Sequence, residues 1–485
     1  MLRATKPDYI TLPPTVRHKI TTESRCIAAT PSSHCRSLRA VSLSAVPYTC
    51  LCSTRRAIKM DNIDRISDLP DNVIDGILEH LGIQDQVRTS ILSKKWRYKW
   101  ISVPQLEFES DFFGSFHHLD DPFHVVAKVI TNVLMIHQGP IHKFTLSIPY
   151  VEITMEHLNT CFQFLSGRDV KYLQLRNYTG AFYQIPYTVF FCKELTYITF
   201  RRFILSIPPN FSGFKRLLNL HLEGVTFESS ALERLIPGCP LLEELSIEYC
   251  TGFEYFDFTA PSLKVLYLDI NKDTKSICLK KAKNLIDLTL MTRGSWESGL
   301  IKSLPKIQKL SIDLRFNTKF LRFADAIPPT LLKSSFGSIE YMKLDGVSLN
   351  ECGELLYIVS VLKSAPSLVE LVIQGYDCVD ITQSPNDLEE LGCSSCCLNR
   401  LQTVNIFVNS CSQFAMSLIQ FILANSTSLK TLTFRVGDRK KLSATTLLRI
   451  SQDLLLMKRA SQSAQVKFLH SGVSKKRKFL HFGNN

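Results

Sequence analysis

The chain reads as an α/β protein. It has a short N-terminal module of three helices, then a solenoid of parallel strands with returning helices or turns, then an α/β region that caps it. Three observations predict this. Residues 64–100 pack three helix signals and two of the chain's three tryptophans into one short stretch. From about residue 140 a six-residue apolar pattern recurs in twelve copies. Residues 390–470 then alternate strand and helix signals to the end of the periodic sequence.

Residues 1–59 are rich in Arg, Ser and Thr, poor in acids and without clear periodicity. They read as a disordered or untranslated extension, because Met60 opens directly onto the helical module. An organelle transit peptide is the other reading of such a composition.

Residues 60–106 make the module. Ser67 or Asp68 is placed to cap a helix starting near Pro70, since Pro fits the first turn, where its missing N–H costs nothing. Val73, Ile74, Ile77, Leu78 and Leu81 follow at helical spacing, and Gly82 stops the helix. A second short helix carries Val87, Ile91 and Leu92. Ser93 caps a third, which sets Trp96 and Trp100 on one face, one turn apart. Such a unit is too short to bury a core alone. It must lean on something else, so it reads as a docking module.

Asp64-Arg65-Ile66-Ser67-Asp68-Leu69-Pro70 and Val87-Arg88-Thr89-Ser90-Ile91-Leu92-Ser93-Lys94-Lys95-Trp96-Arg97 resemble the plant form of the F-box. The resemblance implies binding to a Skp1-like adaptor. The residues it marks are Leu69, Pro70, Ile74, Ile77, Leu78, Leu81, Val87, Leu92 and Trp96. One position departs from the family: Gly82 stands where Pro is usual. Gly loses more entropy on ordering, which points to weaker rather than absent adaptor binding.

Residues 107–389 hold a linker and the solenoid. The pattern is apolar, two variable, apolar, one variable, apolar. It runs from Ile141/Phe144/Leu146 to Leu429/Leu432/Phe434, in steps of 21 to 33 residues. The short steps fit a leucine-rich repeat, one strand plus a returning helix or turn; the longer ones need insertions or longer helices. One unit cannot close its own core, so neighbours must stack. Ala231–Ile236 is one returning helix, broken by Pro237, Gly238 and Pro240 before the next strand. The Cys-Pro-x-Leu-Glu-x-Leu cadence that follows, at Cys239–Leu245, resembles the leucine-rich repeats of plant F-box proteins.

Residues flanking the inward Leu of each strand face the concave side. Ser246 and Ser311 are among them. The candidate target-binding set is His221, Glu223, Glu248, Tyr267, Asp269, Asp313, Lys343 and Asp345. Mixed charge and hydroxyls over a broad face suit a protein ligand.

Residues 390–470 read as strand, helix, strand, helix and a short strand at Val466–Leu469. This order resembles the plant FBD domain, and Leu455-Leu456-Met457-Lys458-Arg459-Ala460-Ser461 matches that family's end. Residues 60–470 as a whole thus resemble plant F-box/FBD/LRR-repeat proteins. The FBD pattern implies no activity, and this region is treated as the capping end of the solenoid.

The net charge of +13 suggests nucleic acid until it is located. Residues 1–59 carry +8 and residues 471–485 carry +4, leaving +1 for the body. A large cationic groove on the body is therefore not expected. Lys475, Lys476, Arg477 and Lys478 form a nuclear-import candidate on the tail. The fifteen cysteines are odd in number and scattered among repeat hydrophobics, which reads as buried thiols in a reducing compartment, nucleus or cytoplasm. Asn177, Asn210 and Asn425 head chance glycosylation sequons on that reading. No apolar run nears the roughly 18 residues of a membrane helix.

Cys393, Cys396, Cys397 and Cys411 invite a zinc site, but no His lies near them in sequence. His117-His118 reads as surface. No phosphate loop, zincin or nucleophile-elbow motif is present. Neither a metal, a cofactor nor catalysis is expected. The resemblance implies a substrate-recognition subunit of a Skp1–cullin–F-box ubiquitin ligase. The adaptor, and through it cullin and RING subunits, would bind the module, and a target protein the repeats. A non-degradative scaffold is the alternative, and a nucleic-acid binder rests on the tails alone.

Overall fold

The computed structural model describes residues 65–470 except 117–121, 150–153, 229, 272, 293–299, 301–303, 315–335, 348, 350–351, 376–397, 410 and 438–442. The two charged tails, His117-His118 and Cys393–Cys397 lie outside the described residues.

One parallel sheet of fourteen strands spans residues 105–470. Its strands are β1 (Gln105–Phe108), β2 (Lys143–Ile148), β3 (Tyr172–Asn177), β4 (Tyr197–Arg201), β5 (Asn219–Glu223), β6 (Glu244–Glu248) and β7 (Val265–Ile270). They continue as β8 (Asp287–Thr292), β9 (Lys309–Asp313), β10 (Tyr341–Val347), β11 (Glu370–Gly375), β12 (Thr403–Val408), β13 (Thr431–Val436) and β14 (Gln465–His470). Each pairs with its neighbours in sequence order. The described helices are α1 (Asp71–Glu79), α2 (Ile83–Arg88), α3 (Ser110–Gly114), α4 (Pro122–Ile136), α5 (Met155–Leu165), α6 (Ala231–Leu235), α7 (Cys352–Lys363), α8 (Gln413–Asn425) and α9 (Ala444–Leu456).

The register follows the apolar pattern. Leu106, Phe144, Leu173, Ile198 and Leu220 sit side by side on β1 to β5, and the row continues through Leu245, Leu266, Leu288 and Leu310. Met342, Leu371, Val404, Leu432 and Val466 complete it. Every member but Val466 is essentially inaccessible. A one-residue slip would turn the whole row to solvent, which is why the alternation fixes the register so firmly.

The sheet carries one strand more at its start than the twelve-copy pattern and the expected last strand require. β1 lies across the expected boundary at residue 106, so the module feeds directly into the array. The C-terminal region is no separate layer: β12 to β14 extend the same sheet.

Turns between strands are closed by buried polar groups. Asn177 is fully buried; its Nδ2 donates to the Ala181 and Arg202 carbonyls, and its Oδ1 accepts from the Thr179 N–H and hydroxyl. Asn271 repeats the arrangement, donating to the Cys250 carbonyl and accepting from Asp273 and Thr274. Asn177 is therefore a structural residue of the folded chain. At Gly213, where φ is +99°, an added Cβ would run into the Gly238 backbone, so adjacent turns meet without a side chain between them.

Cys161, Cys192, Cys239 and Cys250 are buried in the array core. Burial pushes their thiols up to about 11, 12, 11 and 12 respectively. Half-buried Cys411 rises to about 11 for the same reason. These thiols are packing groups that stay protonated near neutrality. Among the described residues no group of three or more candidate metal ligands occurs, and no helix is long and apolar enough to cross a membrane.

Candidate functional site

Two surfaces are built on this frame: an apolar face on the N-terminal module and the open face of the sheet. In the module the apolar stripe of α1 divides between two sides. Ile74 and Leu78, one turn apart, are buried with Trp96 and Val103, and Leu69 and Leu81 pack half-buried on that cluster. Val73 and Ile77, also one turn apart, stay exposed at 39% each. Ile66, Ile91, Leu92 and Tyr98 are exposed as well, and so is Pro70. Val87 packs half-buried against the array core. Of the nine residues marked for the adaptor, Pro70, Ile77 and Leu92 are exposed. Leu69, Leu81 and Val87 are half-buried. Ile74, Leu78 and Trp96 form the module's interior and hold the face in shape rather than presenting themselves. Ile66, Val73, Ile91 and Tyr98 were not in the marked set. Their spacing alone does not separate an outward from an inward apolar residue.

Several local expectations are corrected. Neither Ser67 nor Asp68 caps α1; its N-cap is Pro70, with no side-chain bond. Gly82 does not act as a left-handed stop. It is the N-cap of α2, at φ −64° and ψ 153°. The buried Gln86 closes the end of α1 instead, its Nε2 donating to the Leu78 and Leu81 carbonyls. No α-helix forms after Ser93; that stretch is turns and a short 3-10 helix at Lys99–Ser102. Trp96 and Trp100 therefore part company. Trp96 sits in the module and donates to the Ile66 carbonyl, whereas Trp100 belongs to the array core. Lys95 and Lys99 tie this stretch to the start of α1 through Asp71, at 3.5 and 3.3 Å. Lys99 first, and Lys95 after it, hold the Asp71 carboxyl below its ordinary range.

The joint between module and array is buried. The His137 Nε2–H donates to the Val103 carbonyl at 2.9 Å, and the Gln138 N–H donates to the Ile101 carbonyl. Burial holds the imidazole pKa down, while the Val103 bond works the other way.

On the open face, the marked residues lie in two register columns. His221, Tyr267, Ser311 and Lys343 share the middle column; Glu223, Glu248, Asp313 and Asp345 lie in the next, with Asp269 in line. Asp269 and Asp313 are nearly inaccessible, at 1% and 7%, and Ser246 is buried too. The Asp269 carboxylate accepts from the Tyr249 N–H, so it acts through its charge more than its surface. Burial first, with Glu223 and Asp269 adding, raises the Glu248 carboxyl against the lowering bond from Ser246. Burial likewise lowers His221.

On β2 to β4 the column preceding these carries Lys143, Tyr172 and Tyr197, which the sequence reading did not single out, while Arg201 lies in line with Glu223. Tyr172 and Tyr197 stack at 4.2 Å with planes 4° apart, and His221 packs against Tyr197. Lys143 sits over Tyr172, and Arg201 pairs with Glu223 at 3.3 Å. Their place in the six-residue pattern was the available signal.

Comparison with known proteins agrees with this geometry. The F-box domain family matches residues 66–107, and the LRR repeats of the FBD-associated F-box protein At5g56370 match residues 158–373. The F-box/FBD/LRR-repeat protein At1g13570 of Arabidopsis thaliana is 31% identical over 421 residues, covering 84% of this chain and 98% of that one. The FBD-associated F-box protein At4g10400 of the same plant is 25% identical over 442 residues, covering 84% and 100%. Among solved structures, the functional domain of InlJ from Listeria monocytogenes aligns at a TM-score of 0.33 and 13% identity, over 70% of this chain and 64% of that one. With an F-box-type module opening onto a continuous repeat sheet, and a relative matched along nearly its whole length, the chain belongs to the plant F-box/FBD/LRR-repeat protein family.

Proposed function

We propose that this protein is the substrate-recognition subunit of a Skp1–cullin–F-box ubiquitin ligase. A Skp1-like adaptor binds the module, cullin and RING subunits join through the adaptor, and a target protein binds the open face of the sheet. The observation that carries this reading is the divided apolar stripe of α1. A helix whose inner side already fills its core with Ile74 and Leu78 still displays Val73 and Ile77, and the same module leaves Ile91 and Leu92 exposed. Apolar side chains left outside a finished core favour a partner.

On this reading the chain performs no bond chemistry. It raises the effective concentration of target lysines near a ubiquitin-charged enzyme carried by another subunit. Its place of action is the nucleus or cytoplasm, where the ligase subunits are found.

The test is a pull-down of the full chain with a Skp1-like adaptor, wild type beside Ile77→Asp. Placing a carboxylate in an apolar contact should weaken binding by about 30-fold or more. The thermal unfolding curve should not move, because Ile77 is exposed. Equal binding by both would remove the α1 face from the adaptor site. Adaptor binding without ubiquitin transfer to any co-purified protein, in a reconstituted ligase, would leave a scaffold.

A further inference from the structure

The two ends of the sheet are finished differently. At β1 the two apolar rows are closed: Leu106 and Phe108 are fully buried, and Phe108 packs edge-on against Phe112 of α3, with ring centroids 5.0 Å apart. At β14 the same rows run out. Val466 and Phe468 are only half-buried, whereas their neighbours on β13, Leu432 and Phe434, are fully buried. Leu469, on the open face, is 41% exposed. Among the described residues β14 pairs with β13 alone. The Gln465 N–H donates to the Lys430 carbonyl, toward β13, so strand alternation turns the N–H and C=O groups of Val466 and Phe468 to the free edge. A stacked array needs its terminal unit covered, and an open edge is a template for one more strand.

The sequence beyond β14 supplies a matching strand. Lys467-Phe468-Leu469-His470 recurs as Lys478-Phe479-Leu480-His481, followed by Phe482. Residues 471–485 lie outside the described residues and continue directly from the open edge. The two copies are separated by the seven residues 471–477, polar but for Val473 and including Gly472 and two serines, a turn-forming composition. A parallel crossover needs about a dozen residues or more, so a strand reached through this connection returns antiparallel. One register covers each uncovered apolar side chain of β14. With His470 opposite Lys478, Phe468 meets Leu480 and Val466 meets Phe482 on the core side, while Leu469 meets Phe479 on the open face. Sliding the returning segment by two residues sets Phe468 opposite Lys478 in one direction and Val466 opposite Asn484 in the other, so the apolar pattern selects the first register.

We propose that Lys478–Phe482 folds back as an antiparallel closing strand on the free edge of β14, sealing the end of the array opposite the module. Lys475, Lys476 and Arg477 then fall in the connecting loop.

Hydrogen exchange on the full chain tests it, beside a variant carrying Phe479→Ser, Leu480→Ser and Phe482→Ser, which keeps the length and charge of the tail. The Val466 and Phe468 amides should exchange about tenfold faster or more in the variant, while β4 to β9 keep their protection and so verify the fold. A pair of double variants reads the register. Lys467 and His481 stand opposite each other at a position without backbone hydrogen bonds between them, where side chains lie closest. Lys467→Cys with His481→Cys should therefore form an intrachain disulfide on mild oxidation, identified by mass spectrometry of the digested chain. Lys467→Cys with Lys478→Cys should form far less. Equal exchange in the wild type and the serine variant, or equal disulfide formation by the two cysteine pairs, would overturn the proposal. Protection that is lost on dilution, with the disulfide linking two chains, would assign the edge to a second copy and overturn it as well.

Discussion

The module and the array solve the same burial problem with very different means. The module's own interior is Ile74, Leu78, Trp96 and Val103, whereas the array core runs without a break from Ile83 to Ala464. Helices α1 and α2 have no side-chain cap. In the array, Thr154 caps α5, Ser412 caps α8 and Ser443 caps α9, each accepting from a backbone N–H of the first turn. A stacked array draws stability from both neighbours of each repeat. The module has one neighbour, reached through Trp100, Val87 and the His137 joint. The difference teaches where spare apolar surface comes from. A strand inside the row has two partners and leaves nothing uncovered. A helix beside a four-residue core leaves one side free to dock.

The largest expected effect breaks the array. Phe200→Ala, at the buried centre of β4, should cost about 3–5 kcal/mol and lower the denaturant midpoint of the whole array. Ile74→Ala should cost about 2–4 kcal/mol but act locally. Hydrogen exchange should quicken over residues 65–103 while β4 to β9 keep their protection; loss of protection in both would mean the two regions fold as one unit.

A smaller effect addresses the joint. His137 is held below its ordinary pKa, so the folded protein keeps the ring neutral while the unfolded chain takes up a proton below about pH 6.5. Stability is therefore full above that pH and falls as the pH drops through the depressed folded value. Unfolding curves across this window should show the loss, and His137→Gln should flatten it. The smallest effect is a gain. Gly82 has φ −64°, the angle proline imposes, and open space where a Cβ would go. Gly82→Pro should stabilise the module by about 0.5–1 kcal/mol by restricting the unfolded chain. Adaptor affinity that rises in the same variant would show that module order limits docking.

Most of the array was legible because strand alternation has a period of two and the spacing repeats. Twelve six-residue copies name the buried residues and the register together. β1 was not legible: Gln105–Phe108 offers two apolar positions and lies outside the pattern's rhythm. The third module helix was over-read, because two tryptophans one turn apart satisfy a helical template that turns and a 3-10 segment satisfy as well. The open face was half legible. The middle columns could be named, but not that Asp269 and Asp313 sink among their neighbours, nor that Tyr172 and Tyr197 stack.

By itself the sequence determined the order of strands, the row of Leu and Ile that pairs them, and the presence of a docking module ahead of them. Periodicity is a local property, and burial along a repeat follows from it. Only the tertiary structure decided which side of α1 remains open, which tryptophan serves which core, and how carboxylates from separate repeats gather on the open face. Those outcomes depend on distances between residues twenty or more positions apart, which are set when strands stack in register and not by the spacing within any one repeat.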